Sequence, residues 1–318
     1  MSATAQIHDQ KQGIEFKRVL IATDFSDASQ RALPYAIAIA RRYGSRLSVV
    51  HAIPPEPRDR IPLEALPREL NRRRLQAEQQ MQRLGEQIRI NDLKHQLFLE
   101  QGRVWDVLAS VIQRESIDLL VLGTRGRGGL RKLALGSVAE EVLRLASCPV
   151  LTIGPHVPSA GSETVEFKRI LFATDFGPTA AKAFPYALSM AEDYRATLVL
   201  LHMMAPMPCA DLGPSAYGPS AYAAEEFTRW QRTMRDESER KLKELIPLNA
   251  KLASEPRCKA GTDFLPEGIL EVAASDKIEL IVMGANRSRA PRVAAHMPWA
   301  LTHEVICHAK CPVLTVSN

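Results

Sequence analysis

The sequence predicts two consecutive doubly wound α/β domains, each with a five-stranded parallel sheet between helices. Three observations lead there. The first is a duplication. Residues 16–25 read F-K-R-V-L-I-A-T-D-F and residues 167–176 read F-K-R-I-L-F-A-T-D-F. Leu33-Pro34-Tyr35-Ala36 is answered by Phe184-Pro185-Tyr186-Ala187, His51 by His202, and Cys148-Pro149-Val150-Leu151-Thr152 by Cys311-Pro312-Val313-Leu314-Thr315. A period near half of 318 residues is too long for a solenoid, so each copy is a domain. The second observation is a set of short, nearly unbroken apolar runs, the mark of strands buried on both faces of a parallel sheet. The third is their alternation with longer amphipathic stretches, the β-α-β-α order of an open doubly wound sheet.

In the first copy the strands are expected at 18–23, 46–52, 95–100, 117–122 and 149–153, with helices at about 27–43, 64–91, 103–115 and 138–146. The second copy repeats the strands near 168–174, 196–203, 253–260, 278–283 and 312–316. This divides the chain into a first domain at 1–153, a linker at 154–166 rich in Pro, Gly and Ser, and a second domain at 167–318. The proline- and glycine-rich stretch 205–222, with Gly-Pro-Ser-Ala-Tyr twice over, reads as a surface loop.

Composition narrows the class. A chain that is 46% hydrophobic and 24% charged is that of an ordinary globular protein. No run has the length needed to cross a bilayer, and the start lacks the apolar stretch of a secretory signal. Five scattered cysteines make no disulfide framework, so a cytoplasmic location is expected. Residues 1–160 carry 23 Lys/Arg against 17 Asp/Glu, the remainder 18 against 19, so the basic excess lies in the first copy. That excess suits an anionic ligand, but it is too weak and too poor in aromatics for a nucleic-acid partner.

In doubly wound sheets ligands gather at the carboxyl ends of the strands where strand order reverses. Thr23-Asp24, His51-Ala52 and the loop from Gly123 should converge there. That loop, Gly123-Thr-Arg-Gly126-Arg-Gly-Gly-Leu-Arg-Lys-Leu-Ala-Leu-Gly136-Ser137-Val138, is neither a Walker loop nor a dinucleotide fingerprint. Its glycines permit close approach of backbone N–H groups to a phosphate, and Gly136-Ser137 opens a helix whose free amides favour an anion. A ligand-free account also exists: Ser137 with Glu140 three residues on reads as a capping box.

The spacing Gly123-x2-Gly126-x9-Gly136-Ser137, together with A-T-D-F at both first strands and C-P-V-L at both last strands, resembles the universal stress protein family over nearly the whole chain. The resemblance implies Rossmann-like domains of the adenine-nucleotide alpha-hydrolase type, and ATP, with Mg²⁺, as ligand. It places Ala22, Asp24 and the Ala52 backbone at adenine, Leu122 and Gly123 at ribose, and Gly126, Gly136, Ser137 and Val138 at the phosphates. Arg125 and Arg127 join them on grounds of charge. It also implies pairing of last strands, hence an intramolecular pseudo-dimer through 149–153 and 312–316, with further homodimers as an extension. The expected role is a stress-response sensor or switch in which nucleotide biases loop 124–136.

The second copy departs from the pattern. It keeps Asp175 and Gly284, but Arg287 replaces the second glycine and His296-Met297-Pro298-Trp299 stands near the expected Gly-Ser. ATP binding in the family's manner is not expected there, and Asp175 is either a relic or a cap on the strand-to-helix turn. His51 and His202, equivalent although only one loop is intact, point to a structural role. No hydrolytic constellation is present, so slow ATP hydrolysis is the most that enzymatic readings support. His303, Cys307, His308 and Cys311 have loose zinc-like spacing, which leaves a metal- or ligand-binding adaptor acting through the second copy as an alternative.

Overall fold

The computed structural model describes residues 13–55, 66–124, 135–161, 165–204, 221–262, 265–285 and 298–317. It contains ten strands and eight helices among these residues. The chain divides into two compact units, one formed by Ile14–Glu166 with Ala285–Asn318 and the other by Phe167–Gly284.

In the first unit β1 (Arg18–Ala22) leads to α1 (Asp27–Tyr43), then β2 (Arg46–Ile53), α2 (Leu66–Ile90) and β3 (His95–Gln101). The chain returns through α3 (Val104–Arg114) to β4 (Leu119–Gly123), and through α4 (Ser137–Leu145) to β5 (Val150–Ile153). The strands lie side by side as β3-β2-β1-β4-β5, all parallel, with Ala22 flanked by Val50 and Leu122. Right-handed crossovers then put α1 and α2 on one face and α3 and α4 on the other. The predicted double winding is what the structure shows. The core explains the unbroken apolar runs: Val19, Leu20, Ile21, Leu119, Leu120 and Val121 are all essentially inaccessible.

The last pieces of the sequence also belong to this unit. α8 (Pro298–His308) and β10 (Val313–Ser317) follow the first copy's fold rather than standing apart. β10 pairs antiparallel with β5, Leu314 opposite Leu151. Two equivalent threonines lock the seam: Thr152 donates its hydroxyl to the Val313 carbonyl at 3.0 Å, and Thr315 donates to the Val150 carbonyl at 3.2 Å. Both are buried, so these bonds satisfy hydroxyls that would otherwise be costly to bury.

In the second unit β6 (Arg169–Ala173), α5 (Pro178–Asp193), β7 (Thr197–Met203), α6 (Ala221–Glu244), β8 (Arg257–Gly261), α7 (Leu265–Ser275) and β9 (Leu280–Ala285) repeat the plan, with parallel order β9-β6-β7-β8. Two expectations are corrected. The strand expected at 253–260 begins only at Arg257, because Pro256 has no N–H to give a ladder. The loop expected to reach 222 ends sooner, since Ala221 and Tyr222 already belong to α6; residues 205–220 lie outside the described residues.

The carboxyl group of Asp118 straps the start of β1 to the turn before β4 by accepting from the Lys17 and Arg18 amides at 2.9 and 3.0 Å. Burial pushes its pKa above the ordinary value, against the opposing pull of those two amides. Glu279 holds Lys168 and Arg169 in the same way in the other copy. Strap and sheet together fix where the strand ends fall.

Candidate functional site

The carboxyl ends of β1, β2 and β4 meet where strand order reverses, between β1 and β4. Immediately after β1 the chain makes a tight turn built from Thr23, Asp24, Phe25 and Ser26. Phe25 takes a left-handed conformation, φ 61°, which a bulky residue adopts only when its surroundings hold it. The Thr23 hydroxyl accepts from the Phe25 amide at 3.0 Å. Oδ1 of Asp24 accepts from the Ser26 amide at 3.0 Å and from the Ser26 hydroxyl at 2.6 Å. Ser26 in turn caps α1 by accepting from the Ser29 amide. His51 donates Nδ1–H to the Thr23 carbonyl at 2.8 Å, and its ring packs 4.4 Å from that of Phe25.

The second copy builds the same turn. Phe176 has φ 58°, its amide donates to the Thr174 hydroxyl at 2.9 Å, and the Gly177 amide donates to Asp175 Oδ1 at 2.8 Å. His202 donates to the Thr174 carbonyl at 2.8 Å, with ring centroids of Phe176 and His202 4.5 Å apart. Of the two accounts of Asp175, the cap is the observed one, and both histidines have the structural role expected of them. Sequence reasoning placed Thr23 at this end of the sheet without giving it its part in the turn, and it missed Ser26. The signal was available: threonine precedes the aspartate in both copies.

A matching duplication explains the first glycine of the loop. A Cβ on Gly123 would press on the Ala28 carbonyl and lie 2.9 Å from the Ser29 nitrogen, in the first turn of α1. A Cβ on Gly284 would lie 2.7 Å from the Thr179 carbonyl carbon and 2.8 Å from the Ala180 nitrogen. Both strands meet the helix backbone too closely for any side chain. Asp24 and Gly123 therefore have structural work that does not need a ligand, and the second copy keeps both residue types.

The other half of the signature lies around α4. Thr124, buried, donates its amide to the Ile153 carbonyl, and its own carbonyl accepts from the Gly136 amide at 2.8 Å. The described ends of the loop are thus tied together beside β4. The capping-box expectation is corrected here: Gly136 is the N-cap, and Ser137 is already the first helical residue. Gly136 has no side chain with which to cap that end, so among the described residues no N-cap side-chain bond takes the amides of Ser137, Val138 and Ala139. Ser137 and Val138 are exposed there, and Ala52 sits at the end of β2. Arg125, Gly126 and Arg127 lie outside the described residues, as do Arg287 and His296.

Among the described residues, what this place offers an anion is the amide donors of a helix N-terminus. Asp24→Ala should cost about 1 kcal/mol of stability, as loss of a turn cap does, and Asp175→Ala should cost the same. Urea unfolding of the nucleotide-free variants checks it; a loss confined to Asp24 would show that the two turns are not equivalent.

The metal expectation finds a different arrangement. His303 Nδ1 and Cys307 Sγ are 3.9 Å apart, while His308 donates Nδ1–H to the Glu304 carbonyl at 2.9 Å. Cys307 and Cys311 are buried. Among the described residues no group of three or more His, Cys, Asp or Glu is gathered to hold a metal ion. No described helix is long and apolar enough to cross a membrane.

The family model described as "Universal stress protein family" matches residues 15–154 and again 166–317. A Thermus aquaticus universal stress protein is 37% identical over 141 residues, covering 43% of this chain and 98% of the relative. One from Methanocaldococcus jannaschii is 30% identical over 142 residues, covering 43% of this chain and 82% of the relative. The crystal structure of a universal stress protein from Archaeoglobus fulgidus superposes with a TM-score of 0.65 at 18% identity, covering 96% of this chain and 99% of that one, a likeness of fold.

Proposed function

The chain belongs to the universal stress protein family, and from that premise we propose that its first copy binds ATP, with Mg²⁺, as a cytoplasmic stress-response sensor or switch. In this reading the turn at Asp24 and the Ala52 backbone meet adenine, and Ala22, Leu122 and Gly123 border the nucleoside. Gly126, Gly136, Ser137 and Val138 meet the phosphates, with Arg125 and Arg127 supplying charge. The observation that carries the reading is the N-terminus of α4, which among the described residues has no N-cap side-chain bond and is tied by the bond between Thr124 and Gly136 to the end of β4, the neighbour of β1. Amide donors in that position suit a polyphosphate. Mg²⁺, when bound, would neutralise phosphate charge; the residues here bind and orient rather than move a proton.

The domain boundaries near 153 and 167 belong to this proposal, as does the second copy's loss of nucleotide binding. An intramolecular pseudo-dimer is proposed on the strength of the β5–β10 pairing and its reciprocal threonine bonds. Freshly purified protein is denatured and the released small molecules are analysed by mass spectrometry. Roughly one adenine nucleotide per chain is expected, from the first copy alone, and none from Gly126→Val/Ser137→Ala. About twice that amount would overturn the reading of the second copy. No nucleotide, and no binding when Mg-ATP is added, would overturn the proposal itself.

A further inference from the structure

The two copies differ at β3 and β8, away from the residues assigned to nucleotide. These strands are equivalent, since His51 stands beside Leu99 in one pair and His202 beside Ala260 in the other. The helices that follow them, α3 and α7, are equivalent too: the Asp118 amide donates to the Arg18 carbonyl, and the Glu279 amide to that of Arg169. Counting back from Asp118 and Glu279 matches Arg114 with Ser275 and Val107 with Gly268. In the first copy this corner is filled. Arg114 pairs with Glu100 at 2.7 Å and lies 5.2 Å from the centre of the Phe98 ring, and Val107 is buried. In the second copy Arg114, Glu100, Val107 and Leu99 give way to Ser275, Gly261, Gly268 and Ala260. All four small residues line a pocket of about 380 Å³. That is within the range of about 300–1,000 Å³ typical of small-molecule sites. Gly268 lies inside α7 without a left-handed φ, so the backbone does not require glycine there, and glycine costs helix stability. What it supplies is room.

Charge then selects the occupant. Of the lining, Ala260, Gly261 and Val272 are half-buried and offer a small apolar surface. Lys259, which replaces Phe98, is neutralised by Asp276 at 2.7 Å. Three charged lining residues remain: Arg235 and Glu239, one turn apart on α6, and Glu271 on α7. Among the described residues none of the three is drawn into an ion pair. A simple anion at Arg235 would sit among carboxylates, and a simple cation at the carboxylates would sit beside a guanidinium. A molecule carrying both signs meets all three. We propose that this pocket binds a free α-amino acid with an apolar side chain, its carboxylate at Arg235, its ammonium at Glu239 and Glu271, and its side chain in the space left by Val107 and Arg114 of the first copy.

The test titrates the intact chain with valine, leucine and methionine by calorimetry. Isoamylamine and 4-methylpentanoate, which are leucine without its carboxylate and without its ammonium, serve as controls. Saturable binding of at least one amino acid is expected, with both controls weaker than leucine by about tenfold or more. Arg235→Ala, an exposed change that should leave the fold intact, weakens the amino acid by about tenfold but not isoamylamine. Gly268→Val/Ser275→Arg, which restores the first copy's residues, abolishes binding while thermal unfolding stays cooperative. Absence of saturable binding for all three amino acids overturns the proposal. So does a control that binds as tightly as leucine, or unchanged affinity in either variant. Nucleotide content, measured on the same samples, should be the same in every variant, which keeps this result separate from the reading of the first copy.

Discussion

Gly123→Ala lowers the melting temperature of the nucleotide-free protein by about 6–12 °C, and Gly284→Ala does the same in the other copy. The basis is steric. At each position a methyl group would meet helix backbone at under 3 Å, and backbone cannot swing aside as a flexible side chain does. Overpacking of this kind costs roughly 3 kcal/mol. If these glycines served only a ligand, the first substitution would abolish nucleotide binding with little change in melting, and the second would do nothing. Calorimetry of both variants without nucleotide separates the two accounts. Unchanged melting in Gly284→Ala would overturn the packing account, because no phosphate role is claimed there.

Deleting residues 310–318 has the larger effect. It removes Val313, Leu314, Thr315 and Val316, all buried, from the unit that contains the first copy. Burial of each of the three apolar side chains is worth about 1.5–3 kcal/mol. The sum is comparable to the whole stability of many domains, about 5–15 kcal/mol. It also leaves β5 with unpaired amides and carbonyls along one side, a template for pairing with another chain. The expected product is an unfolded or self-associated first copy, seen by light scattering and circular dichroism. A gentler pair, Thr152→Val and Thr315→Val, should each cost about 1 kcal/mol through the lost hydroxyl bond. A truncated chain that stays monomeric with unchanged melting would show that β10 is dispensable to this unit.

Much of this was legible in the residues. The duplicated apolar runs located nearly every strand, because a strand buried on both faces leaves an unbroken record in the sequence. The equivalence of His51 and His202 was enough to argue structure over chemistry, and each ring donates to the equivalent threonine carbonyl of its own copy's turn, Thr23 and Thr174. Gly123 was harder. Its place in a ligand signature concealed a packing contact with Ala28, and only its retention as Gly284 hinted at it. The cap of α4 could not be read, since Gly136 and Ser137 are both competent N-caps and backbone geometry decides between them. The strand ends C-P-V-L-T are alike in both copies, so nothing local says which neighbours each one joins.

The placement of β10 bears on how the chain comes to be folded during synthesis. Residues 14–153 emerge from the ribosome well before residues 313–317, and until the latter follow, β5 has no antiparallel neighbour. The contact joins residues more than 160 positions apart, among the slowest kinds to form. The early half must therefore wait, partly built and with a sticky border, for the last residues made. Such an interval is where chaperone capture and misassembly between nascent chains would concentrate. Substitutions in β10 should accordingly lower the yield of native protein by more than their effect on the finished molecule would suggest.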